Sequence, residues 1–115
     1  MAVTRRRVPA TPDELESERA LAIDALRLAR LLRQPSRWPT RWTEPDFGLA
    51  VEGCRRHVAD LTTPEELAWA YRHDVFLVPG GADGTDVSPM RVAYALRWLE
   101  LQQRSTGPSW PAMVR

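Results

Sequence analysis

The sequence predicts an all-α fold, a single small domain of about four helices with an irregular Trp/Pro loop and a Gly-rich loop. Its 115 residues are the length of one domain and suffice to bury a hydrophobic core without disulfides. Helix-start signals occur at four places along the chain. Each precedes apolar residues spaced three and four positions apart, which is the spacing of one helix face.

The predicted helix starts combine a capping side chain with a nearby proline. Thr11 and Thr63 each precede a proline at the first helical position and a glutamate at the third. Ser88 gives a shorter version of this pattern, and Thr43 gives a looser one. The four predicted helices span residues 12–33, 45–60, 64–73 and 89–103.

Apolar periodicity predicts which side chains enter the core. The first helix has two adjacent apolar stripes, Leu15, Ala22, Leu26 and Ala29 in one and Leu21, Ala25, Leu28 and Leu32 in the other. On its polar side we expect weak pairs of Glu16 with Arg19 and of Asp24 with Arg27. The predicted core residues of the other helices are Phe47, Ala50, Val51, Cys54, Val58, Leu67, Ala70, Tyr71, Met90, Ala93, Tyr94, Leu96, Trp98 and Leu101.

The segments between and beyond the helices differ in character. The apolar run 75–78 has no partner strand in the prediction, so we interpret it as a plug beneath the helices. The Gly-rich segment 79–84 is interpreted as a flexible turn. Residues 1–11 and 104–115 are predicted to be flexible arms on a helical domain of residues 12–103.

Composition excludes several classes of protein. All 16 basic residues are arginine, a bias that a GC-rich genome explains, and the formal net charge of +1 argues against a strongly basic nucleic-acid binder. The single Cys54 allows no internal disulfide and no thiolate metal cluster. No apolar run approaches a membrane span, and no apolar segment follows the N-terminal arginines, as a secretory signal would require. We therefore expect a cytoplasmic protein.

Three patterns suggest chemistry, and each has a simpler explanation. Cys54 and His57 lie one helical turn apart, but a core thiol explains Cys54 better than a metal ligand or a nucleophile. His73-Asp74 resembles the metal-binding dipeptide of the histidine–aspartate phosphohydrolases, although those enzymes spread their ligands over a longer domain. The loop 80–86 lacks both the Walker ending and the acidic ligand pattern of an EF-hand. We predict no catalytic residue, no cofactor and no metal.

Tryptophan is the strongest compositional signal, with five in the chain. The pairs Arg37-Trp38 and Arg41-Trp42 repeat at a four-residue interval within one Pro-rich loop. Arginine beside aromatic rings is typical of stacking on nucleic acid and also of hot spots in protein interfaces. A third interpretation is that both indoles seal the bundle and donate to loop carbonyls. The predicted partner-binding residues are Arg37, Trp38, Arg41, Trp42 and Trp110.

A family resemblance covers about residues 42–101. Trp42, the run 47–51 and Cys54, followed by the helix start at 63–67 and the run 94–99, are similar to the helical segment of nitrile hydratase beta subunits and their activator proteins. The beta-subunit arginine that faces the metal centre aligns with Ala68, and the Gly-rich loop is an insertion. The resemblance implies a non-catalytic helical partner of a metalloenzyme subunit, without a metal of its own.

Three functional hypotheses follow from the sequence. The preferred one is a non-catalytic protein-binding accessory subunit or adaptor, because the first helix has more apolar surface than three short helices cover. The alternative is a small nucleic-acid-binding protein that uses Arg5, Arg6, Arg7, Arg37, Arg41, Arg55 and Arg56. The third is an enzyme that uses Cys54, His57 or His73.

Overall fold

A computed structural model describes residues 11–103, and within them the fold is all-α, as predicted. The fold comprises helices α1 (Pro12–Leu31), α2 (Phe47–Val58), α3 (Pro64–Tyr71) and α4 (Pro89–Gln103). Residues 11–103 contain no β-strand. Of the predicted flexible arms, all but Thr11 lie outside the described residues.

The predicted capping residues begin three helices, since Ser88 before α4 also accepts from the backbone N–H of Arg91. The Thr11 side chain accepts from the backbone N–H of Glu14, and the Glu14 side chain accepts from the backbone N–H of Thr11, which completes a capping box. Thr63 accepts from the backbone N–H of Glu66 in the same way. Helix α2 begins at Phe47, two residues later than predicted, because residues 44–46 form a turn.

The apolar run 75–78 forms no strand. Its first two residues, Val75 and Phe76, belong to a helical turn that continues from α3. After α3 the chain widens into a π-helical turn, Arg72–Phe76, that buries Val75 completely. Leu77 is exposed, so the plug interpretation is right for Val75 and wrong for Leu77.

The core lies where α1 and α2 pack against α4, with α3 closing one end. One part surrounds Trp42, Phe47 and Leu96, and the other surrounds Leu67 and the rings of Tyr71 and Tyr94. Of the two stripes on α1, the one with Leu21, Ala25, Leu28 and Leu32 is buried in this core, and Ala29 of the other packs against its edge. The other stripe leaves Leu15 and Leu26 exposed.

Two core predictions on α2 need correction. Ala50 is exposed rather than buried, since it lies on the solvent side of the helix that buries Phe47, Val51 and Val58. Cys54 is only partly buried at the edge of the second core cluster.

Candidate protein-binding site

The Trp/Pro loop is ordered by its two indoles. Residues Pro35–Arg37 and Thr40–Thr43 form two short 3-10 turns that bring Trp38 and Trp42 together, with ring centroids 5.9 Å apart in an edge-to-face arrangement. The Trp38 Nε1 donates to the Leu31 carbonyl at 2.6 Å. The Trp42 Nε1 donates to the Val87 carbonyl at 3.2 Å. The indoles therefore do close the bundle by donating to carbonyls.

The five predicted partner-binding residues are not equivalent in the structure. Trp42 is only 7% exposed and belongs to the core, so its ring offers little area to a partner. Trp38 is half-buried, and Arg37 and Arg41 are exposed beside it. Trp110 lies outside the described residues. The accessible part of the loop thus includes two cationic side chains, and partner binding by these residues stays a prediction.

A cleft opens next to this loop, between α1, α4 and the Gly-rich loop. It has a volume of about 100 Å³, and Trp42 is among its lining residues. Its apolar lining is Leu28, Leu31, Trp42, Val87, Val92 and Ala95, and its charged lining is Asp24, Arg27, Asp86 and Arg91. This is smaller than the roughly 300–1,000 Å³ of pockets for drug-sized ligands. The space fits one apolar side chain better than a cofactor.

A buried charge network builds one wall of the cleft. The Arg91 guanidinium contacts Asp24 twice, with Nε to Oδ2 at 2.8 Å and Nη2 to Oδ1 at 3.0 Å. The Tyr71 hydroxyl donates to the same Asp24 carboxylate at 2.5 Å. Arg91 also donates to the Gly81 carbonyl at 3.0 Å, which ties the Gly-rich loop to α4. The network positions three segments that meet at the cleft.

Contacts within this network shift the pKa of Tyr71 and of Arg91. Burial, together with the hydrogen bond to Asp24, raises the pKa of Tyr71 well above its ordinary range, so the phenol stays neutral. Burial alone would lower the pKa of Arg91, but the hydrogen bond and charge of Asp24 outweigh it and raise that pKa. At neutral pH the network therefore contains a charged guanidinium and a neutral phenolic donor, both bonded to Asp24.

Both ion pairs that the sequence predicts on the polar side of α1 need correction. Asp24 does not form a weak surface pair with Arg27, because it is buried and bonds to Arg91 across the fold. Glu16 pairs with Arg72 at 3.3 Å rather than with Arg19. The sequence did contain a signal for this burial. Asp24 is a polar residue that interrupts an apolar face of α1, because it lies one turn before the core residue Leu28.

Two glycines and several short-range hydrogen bonds shape the turns of the Gly-rich loop. Gly80 and Gly84 have φ values of 83° and 81°, a backbone region that favours glycine. The Asp83 carboxylate accepts from the backbone N–H and the hydroxyl of Thr85, and these hydrogen bonds lower its pKa. Asp86 accepts from Ser88 at the start of α4. The carboxylates of the loop thus serve its own turns.

The residues considered for catalysis meet only in part. His57 Nε2 lies 3.3 Å from the Asp74 carboxylate, which also accepts from the Tyr94 hydroxyl at 2.6 Å. Burial raises the pKa of Cys54, which favours the thiol over the nucleophilic thiolate. His73 packs edge-on against Trp69 instead of joining Asp74. Within residues 11–103, no three or more His, Cys, Asp or Glu side chains are placed to hold a metal ion.

Comparison with known proteins gives no relative for this chain, since no family model, no curated protein and no solved structure matches it. Over the described part of the chain, no helix combines the length and the apolar character needed to cross a membrane.

Proposed function

We propose that this chain is a non-catalytic accessory subunit or adaptor that binds another protein at the cleft beside the Trp/Pro loop. The observation that carries the proposal is the cleft itself, a space of about 100 Å³ with an apolar floor and charged sides. Protein interfaces commonly centre on one anchor side chain that fills such a pocket. The apolar floor around Leu31 and Val92 suits a leucine-sized or similar anchor from the partner.

The surroundings of the cleft suit a protein partner with negative charge at the rim of its interface. Arg27 lies at the cleft, and Arg37 and Arg41 are exposed on the neighbouring loop. Arginine combined with tryptophan is the composition enriched at interface hot spots. Charged groups at a rim chiefly accelerate association and orient the partner. Trp110 remains a proposed additional anchor.

The resemblance to nitrile hydratase beta subunits and activator proteins suggests a class of partner, a metalloenzyme subunit in the cytoplasm. Several residues that carry this resemblance, including Trp42, Phe47 and Leu96, are core residues in this fold. The resemblance thus concerns the helical scaffold, and the cleft supplies the binding surface of the proposal.

The nucleic-acid alternative has less support from the charge arrangement. Arg55, one of the cations assigned to it, pairs with Glu100 at 2.7 Å and with Glu52 at 3.5 Å. A phosphate would have to compete with these carboxylates. Arg56 is exposed and therefore serves as a control position.

The test is affinity capture from an extract of the native host with the tagged full chain and three variants. Leu31→Glu places a carboxylate in the apolar floor of the cleft, Arg27→Glu reverses the charge at the cleft, and Arg56→Glu is the control. Circular dichroism first establishes that each variant is folded. We expect a stoichiometric protein that survives high-salt washing and is retained by Arg56→Glu, but is lost with Leu31→Glu and reduced with Arg27→Glu.

Two outcomes would contradict the proposal. A protein captured equally by the wild type and by folded Leu31→Glu does not use the cleft. Nuclease-sensitive material that is lost at high salt and reduced by Arg56→Glu would instead establish nucleic-acid binding.

A further inference from the structure

The end of α1 and the Trp/Pro loop together present a group of exposed arginines that we call the arginine patch. Residues 25–43 contain no aspartate or glutamate, and their arginines are Arg27, Arg30, Arg33, Arg37 and Arg41. All five are exposed. Among residues 11–103, no carboxylate lies within ion-pair distance of any arginine of the patch.

The fold gathers the arginine patch at one end of α1. The Trp38 Nε1 donates to the carbonyl of Leu31, the last residue of α1, so the loop turns back onto the end of the helix. The two loop arginines directly precede Trp38 and Trp42, whose ring centroids are 5.9 Å apart. The other three arginines are spaced three residues apart, and they occupy successive turns of α1 and of the chain that leaves it.

The charge of the patch contrasts with that of the remaining described residues. Residues 11–103 hold all 15 acidic residues of the chain and 11 of its 16 arginines, which gives them a formal net charge of −4. Outside the patch, 15 acids therefore outnumber six arginines in this range. The negative end of the α1 dipole stabilises a nearby cation such as Arg30, but it does not account for Arg37 and Arg41, which lie beyond the helix.

We propose that the arginine patch binds a short acidic segment of the protein partner, in which carboxylates flank the aliphatic anchor side chain. The inference deepens the proposed function and rests on it for the anchor. Two lining residues of the cleft, Leu31 and Trp42, each directly follow an arginine of the patch, and Arg27 itself lines the cleft. A segment whose anchor enters the cleft therefore has arginines of α1 on one side and of the loop on the other.

A short acidic segment suits this charge distribution better than a nucleic acid does. A nucleic-acid strand that extends past the patch meets the acidic remainder of the fold, where like-charge repulsion opposes binding. A short segment meets only the arginines. The planar guanidinium groups also match carboxylates in a two-point geometry, so the patch can orient the segment as well as attract it.

Fluorescence anisotropy of dye-labelled synthetic peptides, titrated with the full chain, tests the inference. The probe is a peptide with one leucine between two pairs of glutamates, and two matched peptides replace the leucine or the glutamates with glutamine. The double variant Arg30→Glu/Arg33→Glu reverses two charges of the patch outside the cleft lining. Arg19→Glu/Arg56→Glu makes the same change in net charge at two exposed positions outside the patch.

We expect the acidic peptide to bind roughly tenfold more weakly to Arg30→Glu/Arg33→Glu than to the wild type, because two attractive contacts become repulsive. The control variant should bind it like the wild type, and the peptide without glutamates should not bind. Circular dichroism first establishes that both variants are folded.

Three outcomes would overturn the inference. The acidic peptide does not bind, it binds equally to the wild type and to the folded patch variant, or a single-stranded oligonucleotide of matched charge binds more tightly than the peptide and is lost in the patch variant. The last outcome would make the patch a nucleic-acid site.

The peptides also separate this inference from the proposed function. An acidic peptide that depends on the patch, and binds equally with leucine or glutamine at its centre, supports the acidic segment but contradicts the anchor in the cleft. A preference for leucine that survives in the patch variant, with no loss of affinity there, supports the anchor and contradicts the acidic segment.

Discussion

The Asp24 carboxylate and the Arg91 guanidinium form a buried, two-point ion pair that joins α1 to α4. The two residues are 67 positions apart in the sequence, and their side chains are 8% and 12% exposed. Planar guanidinium and carboxylate groups match in geometry, so the pair fixes the relative position of the two helices as well as neutralising both charges. Since Arg91 also bonds to Gly81, the same pair determines where the Gly-rich loop lies against the cleft.

Removal of one member of this pair should be more damaging than removal of both. Arg91→Met leaves the Asp24 carboxylate buried without its cation, and we expect a loss of about 3–5 kcal/mol in the free energy of unfolding. The double variant Asp24→Leu/Arg91→Met leaves no buried charge and should recover a large part of that loss. Urea denaturation of the wild type, both single variants and the double variant gives the coupling energy. Additive losses would contradict a specific pair.

A side chain at position 81 in place of Gly81 should destabilise the fold, whereas a side chain in place of Gly53 should stabilise it. A methyl group on Gly81 would overlap the Val75 and Phe76 carbonyl oxygens, which cannot move without opening the π-helical turn. Gly53 lies inside α2, where the nearest atom to an added Cβ is the Arg56 Nη2 at 3.8 Å.

We therefore expect opposite signs from the same substitution at these two positions. Gly81→Ala should lower the midpoint of thermal unfolding, and Gly53→Ala should raise stability by about 0.5–1 kcal/mol through a better helix propensity. Scanning calorimetry measures both. Equal effects at the two positions would show that the loop does not pack closely on the turn.

The helices could be predicted from the sequence because their signals are local. The Thr11 capping box and the prolines at the helix starts involve neighbouring residues, and the structure confirms them. The partner of Asp24 could not be predicted, since the spacing rule for helices considers only Arg27 and the real partner comes from another helix. Periodicity also could not decide which stripe of α1 enters the core, because both stripes contain leucine and alanine.

From the sequence, only the types of residue at the candidate site could be predicted, and not how they are arranged. The Arg/Trp repeat indicated a loop that either binds a partner or seals the core. Trp42 is held in the core by a hydrogen bond to the carbonyl of Val87, which is 45 residues away. The cleft itself arises from three segments that converge, and no single segment signals it. Helix spacing and capping rules apply within one helix or turn, so they cannot predict contacts between segments that are distant in the sequence.

Alkaline pH should unfold the protein through its two tyrosines. Burial and hydrogen bonds to Asp24 and Asp74 raise the pKa of Tyr71 and Tyr94 above the ordinary value of 10.0. Below that value both phenols are neutral in the folded and the unfolded chain, so their contribution to stability is fully present. Above it the unfolded chain releases protons that the folded chain retains, and stability falls by up to about 1.4 kcal/mol per pH unit for each tyrosine.

The chain contains no other tyrosine, so ultraviolet absorbance of tyrosinate reports on these two groups directly. We expect no tyrosinate signal until the helical circular dichroism is lost, with both changes occurring together as the pH rises above 10. In Tyr71→Phe the alkaline transition should have a shallower dependence on pH, because one titrating group is absent from the unfolded chain. Tyr94→Phe provides the matched comparison for the second group. Tyrosinate absorbance that rises near pH 10 with full helicity would show that the hydroxyls are accessible and would contradict both hydrogen bonds.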